Sequence, residues 1–144
     1  IIADVFFQSG KYDSARSMAE SVISVDPSNL LARFIVCRID LEEGPTYNTI
    51  GELRRLADEE IDNPVYNFYL GLAHLKREEE TMAQNAFYKA LDISPGYKEA
   101  LLVLSELYMK KGFYDTNRTI IDRYLEIKPN DKEILALREQ INEK

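Results

Sequence analysis

The sequence predicts an all-α protein, a solenoid of antiparallel helix hairpins. Apolar residues recur at helical spacing through most of the chain, and strand signals are weak throughout. When the sequence is slid by 34 residues, spacing and residue type recur together: Leu104-Ser105 falls on Leu70-Gly71, Tyr108 on His74, Leu125 on Leu91 and Pro129 on Pro95. A slide of twice that length in the other direction puts Pro27 on Pro95 and Ala15 on Ala83. A hairpin of two short helices cannot bury its own apolar faces, so units of equal size must stack.

The clearest unit runs from Pro64 to Tyr97. Its first helix carries Val65, Phe68, Tyr69, Leu72 and Leu75 with Leu70, Gly71 and Ala73 between them, which leaves only a narrow wettable strip. Its second carries Met82, Ala83, Ala86, Phe87, Ala90 and Leu91 as one apolar stripe, with Gln84, Asn85, Lys89 and Asp92 on the wet side. The wholly charged stretch Lys76 to Glu80 suits a short solvated turn between them. These residues and their recurrence resemble the tetratricopeptide repeat family, whose unit is about 34 residues of helix, turn and helix. The resemblance covers the whole chain and implies a right-handed superhelix forming a single domain: a partial repeat at 1–29, a degenerate repeat at 30–63, repeats at 64–97 and 98–131, and a capping helix at 132–144.

In order along the chain, Gly10-Lys11-Tyr12-Asp13-Ser14-Ala15 resembles the family's turn and second-helix opening, with Gly10 free to end the preceding helix in the left-handed conformation and Ala15 small enough for close helix approach. Val25-Asp26-Pro27-Ser28-Asn29 stops that helix, and Ser28 or Asn29 caps the next. In 30–63 the signature weakens: Val36-Cys37 stands where Leu70-Gly71 stands, Ile61 replaces the terminal proline, and Thr49 takes the alanine slot and is expected to loosen the packing there. Glu43-Gly44-Pro45-Thr46 still supplies a turn, and Ile50, Leu53, Leu56 and Ala57 still make a stripe. Asn63 before Pro64 is a start signal, since asparagine caps and proline suits the first turn. In 98–131, Gly112-Phe113-Tyr114-Asp115 is the turn, Asn117 takes the small-residue slot, and Ile127-Lys128-Pro129-Asn130-Asp131 is the stop. The last helix puts Ile134, Leu137 and Ile141 on one side, and Asn130 with Glu133 is close to a capping box.

Composition excludes several function classes. The 144 residues are 45% hydrophobic and 30% charged, the make-up of an ordinary soluble globular chain. With 18 basic against 25 acidic residues the net charge is −7, which disfavours nucleic acid, and Arg54-Arg55 and Lys110-Lys111 read as solvated faces diluted by nearby acids. No apolar run approaches the roughly 18 residues of a membrane span, and the start IIADVFFQSG lacks a basic leader, so no direct membrane insertion is expected. The lack of an initiator Met reads as part of a longer protein. The single Cys37 reads as a small buried thiol and leaves the compartment open between cytoplasm and periplasm.

No catalytic or metal constellation stands out, and neither an enzyme nor a cofactor is expected. The lone His74, between Ala73 and Leu75, reads as a packed core histidine. The acidic runs Asp58-Glu59-Glu60 and Glu78-Glu79-Glu80 lack the spacing and turn glycine of a calcium loop and read as solvated helix ends.

The family resemblance instead implies a concave ligand surface lined by the first helix of each hairpin: Phe7, Leu31, Phe34, Arg38, Leu41, Val65, Phe68, Tyr69, Leu72, Leu75, Leu102, Glu106 and Met109. Most of these are apolar, so the basic clamp that some members use on chaperone-tail carboxylates is not expected. The reading is a non-enzymatic scaffold that holds a peptide or helix of a protein partner in an apolar groove. Against it stands the alternative that some of these side chains only pack on neighbouring helices. Two other functional readings remain: an adaptor part of a larger enzyme or of a secretion or export assembly, and a module that self-associates through Ile1, Ile2, Val5 and Phe6.

Overall fold

Each helix begins and ends where local chemistry dictates. The computed structural model of the chain describes Ala3, Phe7, Gln8 and residues 10–144. The segment Ile1, Ile2, Val5 and Phe6, expected to self-associate, lies outside the described residues. Among the described residues there are eight complete helices and no strand: α1 Tyr12–Val25, α2 Leu30–Glu43, α3 Tyr47–Glu59, α4 Pro64–Lys76, α5 Glu80–Ile93, α6 Lys98–Lys111, α7 Tyr114–Ile127 and α8 Lys132–Asn142. Ala3, Phe7 and Gln8 are helical as well.

Side chains cap four of the starts. Asn29 accepts from the Ala32 N–H at α2, and Asn63 accepts from the Val65 N–H at α4 with Pro64 in the first turn. Thr46 and Thr49 form a reciprocal capping box at α3, where the sequence suggests only a plain turn. At α8 the cap is Asp131, not Asn130. Asp131 accepts from Ile134 N–H at 3.3 Å, while Glu133, one residue too early for a box, pairs with Lys98 at 2.8 Å. Gly10 and Gly112 end their helices at φ +75° and +72°, and Glu78 takes φ +61° in the turn between α4 and α5.

Three apolar clusters follow one another along the chain. The first joins Ala15 and Ala19 to Ala32, Ile35 and Ile39. The second joins Leu41, Leu53 and Leu56 to Leu70 and Ala73, and the third runs from Ala83 and Phe87 to Ile134 and Ile141. Each helix packs on its sequence neighbours, and α2 also touches α4, whereas α3 and α5 make at most glancing contact. The array is therefore an all-α solenoid with α2 and α4 side by side on its tighter face.

Close packing is concentrated where the small residues are. Gly71 lies against the fully buried Phe87 ring, and α4 and α5 are the most closely apposed pair. The positions 34 residues to either side of Phe87 hold the smaller Leu53 and Ile121, and Cys37 and Ser105 replace the glycine. The signature relaxes in concert, so the smaller apolar partner leaves room for a Cβ. With Thr49 in the alanine slot, α2 and α3 make fewer close approaches than α4 and α5. Thr49 is nevertheless 2% exposed and donates to Asp40 at 3.2 Å. Asn117, fully buried, donates to the Ser105 carbonyl at 3.2 Å. Met82, expected in the apolar stripe of α5, is 44% exposed at the edge of that stripe, and Gln84, expected on the wet side, is half-buried with its side-chain nitrogen sealed.

Candidate partner-binding face

The helical period places Phe34, Arg38 and Leu41 on one side of α2 and Val65, Phe68, Tyr69, Leu72 and Leu75 on one side of α4, and contact between α2 and α4 joins the two sets. Between them lies a cavity of about 320 Å³ lined by Phe7, Arg38, Leu41, Glu42, Tyr69, Leu72, Leu75 and Lys76. Six of the groove residues expected from sequence therefore share one hollow. Leu41 serves it from the core side, at 3% exposure. Glu42 and Lys76 were missed. They stand one position beyond Leu41 and Leu75 in the repeat register, which is the signal that marks them. The Lys76 ammonium donates to the Leu41 carbonyl at 2.7 Å, tying the ends of α2 and α4 together.

Of the two cations lining the cavity, Arg38 is the one set against aromatic rings. The Arg38 guanidinium lies 3.9 Å from the centroid of the Phe7 ring, with Phe34 at 5.8 Å and Tyr69 at 5.9 Å. Phe34 in turn meets Tyr66 and Tyr69 edge-on at 5.1 and 4.9 Å. The guanidinium thus lies closest to Phe7, with Phe34 and Tyr69 farther out, beside the aliphatic walls.

The remaining expected residues divide. Phe68 contacts Tyr69 at 5.5 Å but also packs on Phe87 at 5.8 Å and Tyr97 at 5.4 Å, so it leans on the core and does not line the cavity. Burial pushes the Tyr97 hydroxyl up to about 12. Leu102 and Met109 are half-buried against the C-terminal core, and Val65 is half-buried at the start of α4. Leu31 is 48% exposed and Glu106 is also exposed, and neither lines this cavity.

His74 is packed, at 3% exposure, and its Nδ1 lies 2.7 Å from a Glu79 carboxylate oxygen. That hydrogen bond first, and Arg77 second, hold Glu79 below the usual carboxylate range. Arg77 stacks on Tyr47 at 3.9 Å and donates to Pro45 O at 3.3 Å, so the network fixes the turn after α4 to the start of α3. Among the described residues, no group of three His, Cys, Asp or Glu is placed to hold a metal ion, and no helix is long and apolar enough to cross a membrane.

Residues 69–141 match a tetratricopeptide repeat family model, and residues 1–29 match a second. The chain belongs to the tetratricopeptide repeat family, whose arrays generally serve as protein–protein interaction scaffolds. No curated protein matches the sequence. Among solved structures it is similar to MamA, at 20% identity and TM-score 0.76 over 99% of this chain and 84% of that one. It is also similar to a thermophilic TPR protein of Thermus thermophilus, at 16% identity and TM-score 0.71 over 97% and 77%. A third neighbour is YrrB, described as a TPR protein with an unusual peptide-binding site, at 13% identity and TM-score 0.69 over 96% and 72%. At these identities the likeness is one of fold.

Proposed function

We propose that this array is a non-enzymatic scaffold that grips an apolar or amphipathic segment of a protein partner on the face carried by α2 and α4. The observation that supports the reading most is the cavity of about 320 Å³, walled by Phe7, Tyr69, Leu72 and Leu75 and carrying the stacked Arg38 guanidinium. Apolar walls take aliphatic or aromatic anchors, each worth about 1.5 to 3 kcal/mol when fully buried. Three or four anchors reach micromolar affinity after the costs of association. Arg38, stacked on Phe7, adds the flat face of its guanidinium to those walls. The domain division proposed with it keeps 1–29, 30–63, 64–97 and 98–131 as repeats and 132–144 as the closing helix.

The test is selection of linear 12-residue peptides from a random library on the intact chain, followed by titration of the winners against Leu75→Glu and Arg38→Ala. The reading expects apolar consensus peptides, loss of at least tenfold affinity with Leu75→Glu, and a smaller loss with Arg38→Ala. Winners that bind both variants as tightly as the unmodified protein would overturn it.

A further inference from the structure

A second hollow lies on the other side of α4. It measures about 570 Å³ and is bounded by Arg54 and Asp58 of α3, by Asn67 and His74 of α4, and by Lys89 and Asp92 of α5. Residues 67 and 69 of a helix point about 200° apart, so this cleft and the cavity with Tyr69 open on opposite sides of α4.

The chain's own repetition shows what is unusual about it. Positions 34 residues apart on the first helices hold Arg33, Asn67 and Leu101. Leu101 is fully buried in one cluster with Leu91 and Ile120, and the corresponding space between α5 and α7 shrinks to about 10 Å³. Arg33 sits in a hollow of about 600 Å³ between α1 and α3, where its own chain satisfies it: Glu52 at 2.5 Å and Glu59 at 2.8 Å accept from its guanidinium. Asn67 is neither sealed nor satisfied. It is 7% exposed, it lines the cleft, and its carboxamide hydrogen-bonds to no other described residue. Of the other buried polar side chains, Thr49, His74 and the Asn117 N–H₂ hydrogen-bond within the chain, whereas Ser105 Oγ and Asn117 Oδ1 are sealed without a partner. The polar atoms of Asn67, unlike those, are not sealed, so its hydrogen-bonding capacity is open to a ligand in the cleft.

We infer that the α3–α4–α5 cleft is a second binding site, taking an extended acidic peptide segment whose backbone pairs with the Asn67 carboxamide. A carboxamide offers an N–H₂ donor and a C=O acceptor, the complement of one peptide group. Arg54 and Lys89, both exposed on the rim, pair with no described carboxylate; of the two rim carboxylates Asp92 is within 3.9 Å of Arg123 and Asp58 pairs with no described cation, which leaves two cations against one carboxylate. The unpaired charge on the rim is thus mainly positive and favours acidic side chains flanking the paired backbone.

The experiment is an amide-resolved NMR titration of the ¹⁵N-labelled chain with the blocked peptide acetyl-ADAEA-amide. Saturable shifts are expected at the Asn67 side-chain amide and at backbone amides around Arg54 and Lys89. Asn67→Leu, which copies the residue found at position 101, should weaken the fitted affinity at least tenfold. The exposed pair Arg54→Ser with Lys89→Ser should weaken it at least threefold without touching the core, and it decides the matter if Asn67→Leu misfolds. Leu75→Glu, on the opposite face, should leave it within twofold, so this site and the groove fail separately. Shifts that do not saturate by 10 mM peptide, shifts clustered instead at Arg38 and Leu75, or undiminished binding by the double serine variant would overturn the inference.

Discussion

Replacing Gly71 with alanine sets two measurable effects against each other. A Cβ at this position would lie 2.5 Å from Cε1 of Phe87 and 2.7 Å from both Cδ1 and Cζ, well inside contact distance. The Phe87 ring is fully buried, in one cluster with Ala83, Ala90 and Leu104. Overpacking of this kind costs about 1 to 3 kcal/mol, and alanine returns roughly 1 kcal/mol of helix propensity over glycine. The net expectation is a loss of about 0 to 2 kcal/mol, which for a chain of this size lowers the melting temperature by up to about 6 °C. The repeats on either side indicate the remedy, since Cys37 and Ser105 coexist with Leu53 and Ile121 in the Phe87 position. Gly71→Ala combined with Phe87→Leu should therefore be more stable than the two single losses summed, with a coupling of at least about 1 kcal/mol. Denaturant unfolding followed by helical circular dichroism measures all four corners of the cycle. Additive losses, or a Gly71→Ala variant more stable than the parent, would refute the packing argument.

Other consequences follow from the same structure. Asp131 caps α8, accepts from the buried Tyr124 hydroxyl at 2.7 Å and pairs with Lys98 at 3.0 Å, and these contacts, Tyr124 first, hold its carboxyl at about 2. A carboxyl lowered in the folded state stabilises fully above about pH 4 and loses that contribution as pH falls toward its folded value. Thermal melts should thus show a steep fall between about pH 4 and 2 that Asp131→Ala flattens, and an unchanged slope in the variant would contradict the assignment. Cys37 is 1% exposed, and burial first, then the Glu52 and Asp40 carboxylates, pushes its thiol up to about 12. Ellman's reagent at pH 8 should label it only as fast as the protein opens, and prompt stoichiometric labelling of the folded chain would contradict its burial.

Much of this architecture is legible in the amino-acid order, because each hairpin carries its own boundaries. Asn63 with Pro64, Asn29 after Pro27, and Gly10 and Gly112 each satisfy a helix end with a local group, so period and punctuation agree. Asn130 stands in for Asp131 on sequence alone because both residues cap and Glu133 lies three after the wrong one; the long-range partners Lys98 and Tyr124 decide between them. Met82 fits a helical stripe on paper, but stripe edges are resolved only by the neighbour's size, and here a cleft opens beside it. On the candidate face, one turn-by-turn column brings Arg38, Leu41, Tyr69, Leu72 and Leu75 together, while Leu31 and Glu106 fall outside the cavity. Helical spacing gives direction from the axis and not distance from the next helix. The cleft over Asn67 is hidden in the sequence, since a lone asparagine in an apolar helix looks like noise until it is set against Arg33 and Leu101.

The central claim, that the α2–α4 face binds a partner while the interior only supports it, is tested most directly by one paired measurement on neighbouring leucines. Leu70 is a core residue at 8% exposure, and Leu72 is a half-buried cavity wall. Melting temperature and affinity for a library-selected peptide are recorded for Leu70→Ala and Leu72→Ala. Leu70→Ala should cost about 2 to 5 kcal/mol of stability and leave the affinity of the folded fraction within twofold. Leu72→Ala should cost about 1 kcal/mol of stability and weaken binding about tenfold. Equal destabilisation by both, with binding lost only in proportion to unfolding, would contradict the account.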